Sequence, residues 1–164
     1  MIQPTSRFKR ALPRRPSLSD VHVRPALSNA LAEIEEIETL AFAGSPYNAF
    51  SGGDVRDLLI EDGSPLRAII ARAETGFRDD VLGWVLYERL TAGTSLHRIA
   101  VHPSSWRRGI ARKLVEHISA TEKVVGTMVD VDDDSTDQFL ESVGFVHSGN
   151  RFSQGRALRK FEWL

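Results

Sequence analysis

The sequence predicts an α/β domain of the α+β kind: a mixed, mostly antiparallel central sheet with helices on both faces. Two observations carry this. Short apolar or alternating runs interleave with helical stripes in the order strand, two helices, three strands, helix, strand, helix, one or two strands. Strands joined by loops pair antiparallel and strands joined through a helix pair parallel, so that order builds a mixed sheet. At 164 residues the chain suffices for one substantial core and is short for two.

Residues 21–25 (VHVRP) alternate as a first strand, with Pro25 ending it and Ser28 available to cap the next helix. Ala30, Ile34, Ile37 and Ala41 recur at helical spacing, with Glu33, Glu35, Glu36 and Glu38 filling much of the remainder. Gly44-Ser-Pro46 breaks this helix, and Ser51-Gly-Gly53 opens a second one through Leu59 with Asp54 as its cap. Residues 66–71 and 81–87 read as a hairpin across a polar link containing Gly76, and residues 95–101 as a third strand stopped by Pro103. Ile110, Leu114 and Ile118 mark the next helix, residues 124–131 another strand, and Ser135 with Gln138 the capping box of a helix that Gly144 stops. Residues from Phe145 onward, and then 156–164, supply the closing strands.

Apolar content of 41%, charged content of 26% and the lack of any apolar run near the roughly 20 residues of a membrane span describe a soluble globular chain. There are no cysteines, so disulfides and thiolate metal sites are absent, no metal site is expected, and the expected compartment is the cytoplasm. A net charge of −1 argues against a whole-surface attraction to nucleic acid. Charge is nevertheless uneven: residues 1–19 carry Arg7, Lys9, Arg10, Arg14 and Arg15, three prolines and no acid before Asp20. That composition predicts a disordered basic arm at 1–19 ahead of a single domain at 20–164. The expected assembly is a monomer or homodimer.

Chemistry concentrates after the third strand. Pro103 stops it and a helix begins near Arg108 or Gly109, so the amides of Arg107 to Arg112 lie in or beside a first helical turn, where they lack intrahelical partners and the dipole is positive. An anion fits there. Gly109 and the small Ala111 allow close approach, and Arg107, Arg108 and Arg112 supply charge for phosphate oxygens. Three arginines oppose the dipole of a helix start, which a bound diphosphate would relieve. The spacing is neither that of the phosphate-binding lysine loop nor that of the dinucleotide glycine fingerprint.

On these residues the chain resembles the GNAT N-acetyltransferase family, especially its ribosomal-protein and protein N-terminal branch. The family's acetyl-CoA signature is a strand ending in valine, any residue and proline. A helix start comes next, with glutamine or arginine, two variable residues, glycine, one variable residue, and glycine or alanine. Here Val101-His-Pro103 is followed by Trp106-Arg-Arg-Gly-Ile-Ala111, with Trp106 in place of the glutamine or arginine. Residues 139–145 (FLESVGF) are similar to the family's FYEKLGF segment. The resemblance implies a central strand that splays from its neighbour, exposing amides of Ile99, Ala100 and Val101 to the pantetheine arm. It implies that Trp106, Arg107, Arg108, Gly109, Ile110, Ala111 and Arg112 hold the pyrophosphate. It further implies acetyl transfer from acetyl-CoA to a primary amine of a protein, peptide or small-molecule acceptor.

Transfer from a thioester needs a neutral amine, and a lysine near ~10.4 needs more help in losing its proton than an N-terminal amine near ~8. Asp130, Glu88 and His97 are the base candidates, Asp130 because the related branch often places an acid on that strand. His97 shares strand parity with Ile99 and Val101. The family's general acid is a tyrosine in the FYEKLGF segment. Alignment on Gly144 and Phe145 puts Leu140 there, leaving Tyr87 or Tyr47 as substitutes from elsewhere. The family's asparagine ahead of that helix falls near Asp133. Leu140 motivates a second reading, a non-catalytic CoA-binding or protein-interaction module on the same fold.

Overall fold

The computed structural model describes residues 17–44, 49–60, 64–75, 78–122 and 125–163. Residues 1–16 of the basic arm, Pro46, Tyr47, Gly76 and Val124 lie outside them. The elements are β1 (Val21–Pro25), α1 (Leu31–Ala41), α2 (Gly52–Ile60), β2 (Leu66–Thr75), β3 (Arg78–Leu90), β4 (Gly93–Val101), α3 (Ile110–Thr121), β5 (Val125–Asp130), α4 (Asp134–Val143), β6 (Phe145–Ser153) and β7 (Arg156–Trp163). Among the described residues the strands form one seven-stranded sheet in the order β1-β2-β3-β4-β5-β7-β6. The β4 and β5 pair, joined through α3, is parallel and every other pair is antiparallel, as connection through a helix requires.

The predicted elements are present, with local differences. The closing segment is a full hairpin whose second strand inserts between β5 and β6. Its turn places Gln154 and Gly155 at φ 48° and 74°, the left-handed pair of a tight hairpin. Ser51, not Asp54, caps α2. Its hydroxyl accepts the Asp54 N–H at 3.1 Å, while the Asp54 carboxylate accepts the Ser51 N–H at 2.8 Å. That backbone N–H, then the Ser51 hydroxyl, holds the Asp54 carboxyl below the usual carboxylate range. Asp133, not Ser135, caps α4, accepting the Thr136 N–H at 3.1 Å. Gly144 ends α4 at φ 121°, where a Cβ would stand 2.9 Å from the Trp163 ring. The described residues begin at Ser17, upstream of Asp20. Ser17 and Asp20 close a reciprocal box around the turn Leu18–Asp20.

Two apolar layers sandwich the sheet. On one side α3 and α4 cover Val85, Tyr87, Leu96, Val101, Val125, Val129 and Phe161. On the other, α1 and α2 cover Ile70, Trp84, Leu86 and Ala100. Trp84 is 0% exposed, and an aromatic of that size removes about 150–250 Å² from water, an upper bound of about 4–6 kcal/mol at ~25 cal/mol per Å².

Strand β4 carries two irregularities. Leu96 pairs with Tyr87 and Arg98 with Leu86, so His97 is an extra residue, a bulge. Leu96 and Ile99 both pack in the α3 layer, whereas Arg98 reaches α1, so strand alternation skips one residue at His97. The parity with Ile99 and Val101 that the sequence predicts for His97 is therefore lost. The second irregularity is on the other edge. Pairing with β5 consists of Thr94 with Val125 and Ser95 with Gly126, after which the two strands diverge.

Candidate functional site

The loop from β4 to α3 is built by local chemistry. Pro103 opens a short 3-10 turn, and His102 fixes it by accepting the Ser104 N–H at 3.2 Å on Nδ1. Arg107 (φ 59°) and Gly109 (φ 83°) are both left-handed, turning the chain sharply into α3. The first helical bond runs from the Lys113 N–H to the Gly109 carbonyl at 3.0 Å, so the amides of Ile110, Ala111 and Arg112 lie ahead of it without intrahelical acceptors. The side chains of Ile110 and Ala111 are buried in the core, so these residues face the loop with backbone alone. Arg107 is exposed and Arg108 half-buried. Arg112 is exposed and shared with Glu116 at 3.2 Å, a pair worth about 0.3–0.5 kcal/mol. Gly109 is exposed, with Leu18 beside it, and Lys113 donates to the Leu18 carbonyl at 2.9 Å.

Upstream, the unpaired edge of β4 opens onto this loop. The His102 N–H bonds to the Leu82 carbonyl on the β3 side at 2.8 Å, so alternation turns the backbone groups of Val101 and Ile99 to the splayed side. Ala100, between them, faces its backbone toward β3 and buries its methyl group under α1. The Val101 carbonyl accepts the Trp106 indole N–H at 2.7 Å. Trp106 is 53% exposed, so its ring is tethered at the mouth of the splay rather than packed under the loop. Thr127 bridges the start of the splay, donating to the Leu96 carbonyl at 3.1 Å.

The base candidates separate. His97 Nε2 lies 2.8 Å from Glu88 Oε2, both side chains partly exposed at the bulge. Asp130 stands across the splay at the end of β5, and both its oxygens are engaged by the Arg156 guanidinium. His97 and Glu88 therefore form a pair, and Asp130 does not join it.

The acid candidates separate as well. Leu140 is 3% exposed in the α3–α4 core, so its position faces away from solvent as well as lacking a proton. Tyr87 lies in the same core near Arg89 and Glu122, at the C-terminal end of α3 and so remote from the loop at its other end. Burial, then the Glu122 charge, pushes its hydroxyl above the usual tyrosine range. Asp133 is committed to capping α4.

No sequence motif marks Glu38, Arg98, Leu18 or Lys113 for a role. Glu38 continues the Ala30, Ile34 row at i+4, the one signal that it faces inward.

The family model described as "Acetyltransferase (GNAT) domain" matches residues 66–147, from β2 into β6. No curated protein matches the chain by sequence. Among solved structures, a GNAT-family acetyltransferase from Bacillus cereus superposes with TM-score 0.62 at 20% identity, covering 87% of this chain and 95% of its own. The ribosomal-protein-S18-alanine N-acetyltransferase from Escherichia coli gives TM-score 0.62 at 16% identity, with 87% and 92% covered. A chimera of the spermidine N-acetyltransferase from Vibrio cholerae gives 0.62 at 19%, with 88% and 95% covered. At these identities the likeness is one of fold, and the ribosomal-protein enzyme is one of several such neighbours. No helix among the described residues is long and apolar enough to cross a membrane.

Proposed function

We propose that this chain, which belongs to the GNAT acetyltransferase family, transfers the acetyl group of acetyl-CoA to a primary amine of a protein or peptide, an N-terminal amine first. One observation carries the reading: the unpaired β4 edge, with Ile99 and Val101 turned into the splay, runs directly into the amide-lined start of α3. A long cosubstrate with a diphosphate at one end and a thioester at the other fits that continuity. His97 precedes Val101 by four residues, about 13 Å of strand at ~3.3 Å per residue.

In this reading the amides of Ile110, Ala111 and Arg112, with Arg107 and Arg108, hold the pyrophosphate. Ile99 offers N–H and carbonyl to the pantetheine arm, while Val101 offers its N–H, its carbonyl being held by Trp106. Acetyl-CoA supplies an activated acyl carbon. His97, oriented by Glu88, takes a proton from the incoming amine directly or through one water. With Leu140 in the core, the departing thiolate takes its proton from water. An N-terminal amine suits a site with this modest apparatus, because it loses its proton near ~8 rather than near ~10.4.

The test is thiol release from acetyl-CoA with N-terminal peptides, lysine peptides and spermidine. Turnover on the N-terminal peptides above the others supports the assignment. Preferred turnover on spermidine replaces the acceptor class. Acetyl-CoA binding without turnover on any amine returns the non-catalytic module that Leu140 favours.

A further inference from the structure

The α1–α2 side of the sheet buries a charged pair that packing alone does not require. Glu38, on the last turn of α1, is 0% exposed. Its carboxylate accepts the Trp84 indole N–H at 2.8 Å, the Phe50 backbone N–H at 3.1 Å, and the Nε and Nη2 groups of Arg98. The Arg98 guanidinium lies over two rings, 3.9 Å from the Phe42 centroid and 4.3 Å from that of Phe50. The donors come from β3, from the segment entering α2 and from β4, so one carboxylate ties three parts of the chain to α1.

A pair desolvated to this degree gains little net stability over well-packed apolar residues of the same volume, whereas its fixed directions select one register. Here the register is that of a bulge. Arg98 directly follows His97, the residue without a β3 partner, and lies beyond Ser95, where pairing with β5 ends. With one edge unpaired and the ladder interrupted on the other, backbone hydrogen bonds hold this point of β4 weakly. Arg98 supplies the missing anchor from the side chain.

We propose that Glu38 and Arg98 are positioning residues for acetyl transfer. Their ion pair sets the β4 bulge and thereby the placement of His97 against Glu88, without touching the acetyl-CoA loop. The role rests on the assignment of this chain as an amine acetyltransferase with His97 as base. Phe50, bonded to the same carboxylate, brings the start of α2 into register with the bulge.

Arg98→Met alone strands a buried carboxylate and is expected to compromise folding. The test therefore uses the double variant Glu38→Gln/Arg98→Met, which keeps a carbonyl acceptor for the Trp84 indole, beside the single Glu38→Gln. Amide hydrogen exchange at Arg98 and its β3 partner Leu86 is compared with Val85 and Val115, acetyl-CoA affinity is measured by calorimetry, and kcat and KM are measured on an N-terminal peptide. The double variant should unfold cooperatively and bind acetyl-CoA within about twofold of wild type. It should exchange at least about tenfold faster at Arg98 and Leu86 alone and lose at least about tenfold in kcat. A folded double variant with wild-type exchange at the bulge and wild-type kcat overturns the proposal. Faster exchange at the bulge with wild-type kcat overturns it too, since the pair would then be structural only. Exchange needs no acceptor: wild-type protein that acetylates no amine refutes the transfer reading, while unchanged exchange refutes the anchor independently.

Discussion

The indole N–H of Trp106 donates to the carbonyl of Val101 at 2.7 Å, closing the end of the unpaired β4 edge with a side chain from the adjoining loop. Trp106 stands where the family pattern has glutamine or arginine, and this bond gives the departure a physical role: it satisfies a strand-end carbonyl that β5 no longer reaches. Trp106→Phe keeps the ring and removes the donor. It should lower the unfolding free energy by about 1 kcal/mol in urea titration, the net value of one such bond. Trp106→Gln, which restores a donor, should lose less.

His97 and Glu88 make a second prediction. His97→Gln should reduce kcat/KM on an amine by roughly 100-fold, within the range of a general base, while acetyl-CoA affinity holds. Glu88→Gln, acting through His97, should cost less. Asp130→Asn, which disturbs an ion pair with Arg156, should leave kcat/KM within a few fold of wild type. A silent His97→Gln beside an inactive Asp130→Asn would transfer the role of base to Asp130.

Tyr87 predicts an alkaline effect on stability. Burial raises its folded-state pKa above the ~10 of an unfolded chain. The corresponding stability is therefore intact below pH ~10 and is lost as pH climbs through the folded-state value. Thermal melts across that window should show Tyr87→Phe losing less stability with pH than wild type. Its kcat at neutral pH should be unchanged, since the Tyr87 side chain is buried in the α3 layer, on the sheet face opposite that of its neighbour Glu88.

These residues also show where sequence legibility ends. Helical stripes such as Ile110, Leu114 and Ile118 are local, and they placed α3 and its amide-lined start directly. The bulge at His97 is not local: residues 95–101 (SLHRIAV) break alternation at His97-Arg98, yet only the pairing with β3 shows that His97 is the extra residue. The splay likewise belongs to two strands separated by a helix, so it follows from family resemblance and not from local periodicity. Glu38 was hidden among Glu33, Glu35 and Glu36, because a glutamate in an acidic helix reads as solvent-facing unless its buried arginine is known. Asp130 and Tyr87 show the converse: residue types suited to proton transfer whose partners, the Arg156 guanidinium and the α3 core, are set by tertiary contacts and not by the local sequence.

The central claim is that acetyl-CoA binds on the start of α3, and the most direct measurement is its calorimetric affinity for wild type and Gly109→Val. Gly109 sits at φ 83° on the exposed turn into α3, a conformation that a β-branched residue adopts only with strain. The site assignment predicts tight binding to wild type and loss of at least about 100-fold, roughly 2.7 kcal/mol, in a variant whose circular dichroism and cooperative unfolding show a folded domain. Wild-type affinity in folded Gly109→Val would contradict it.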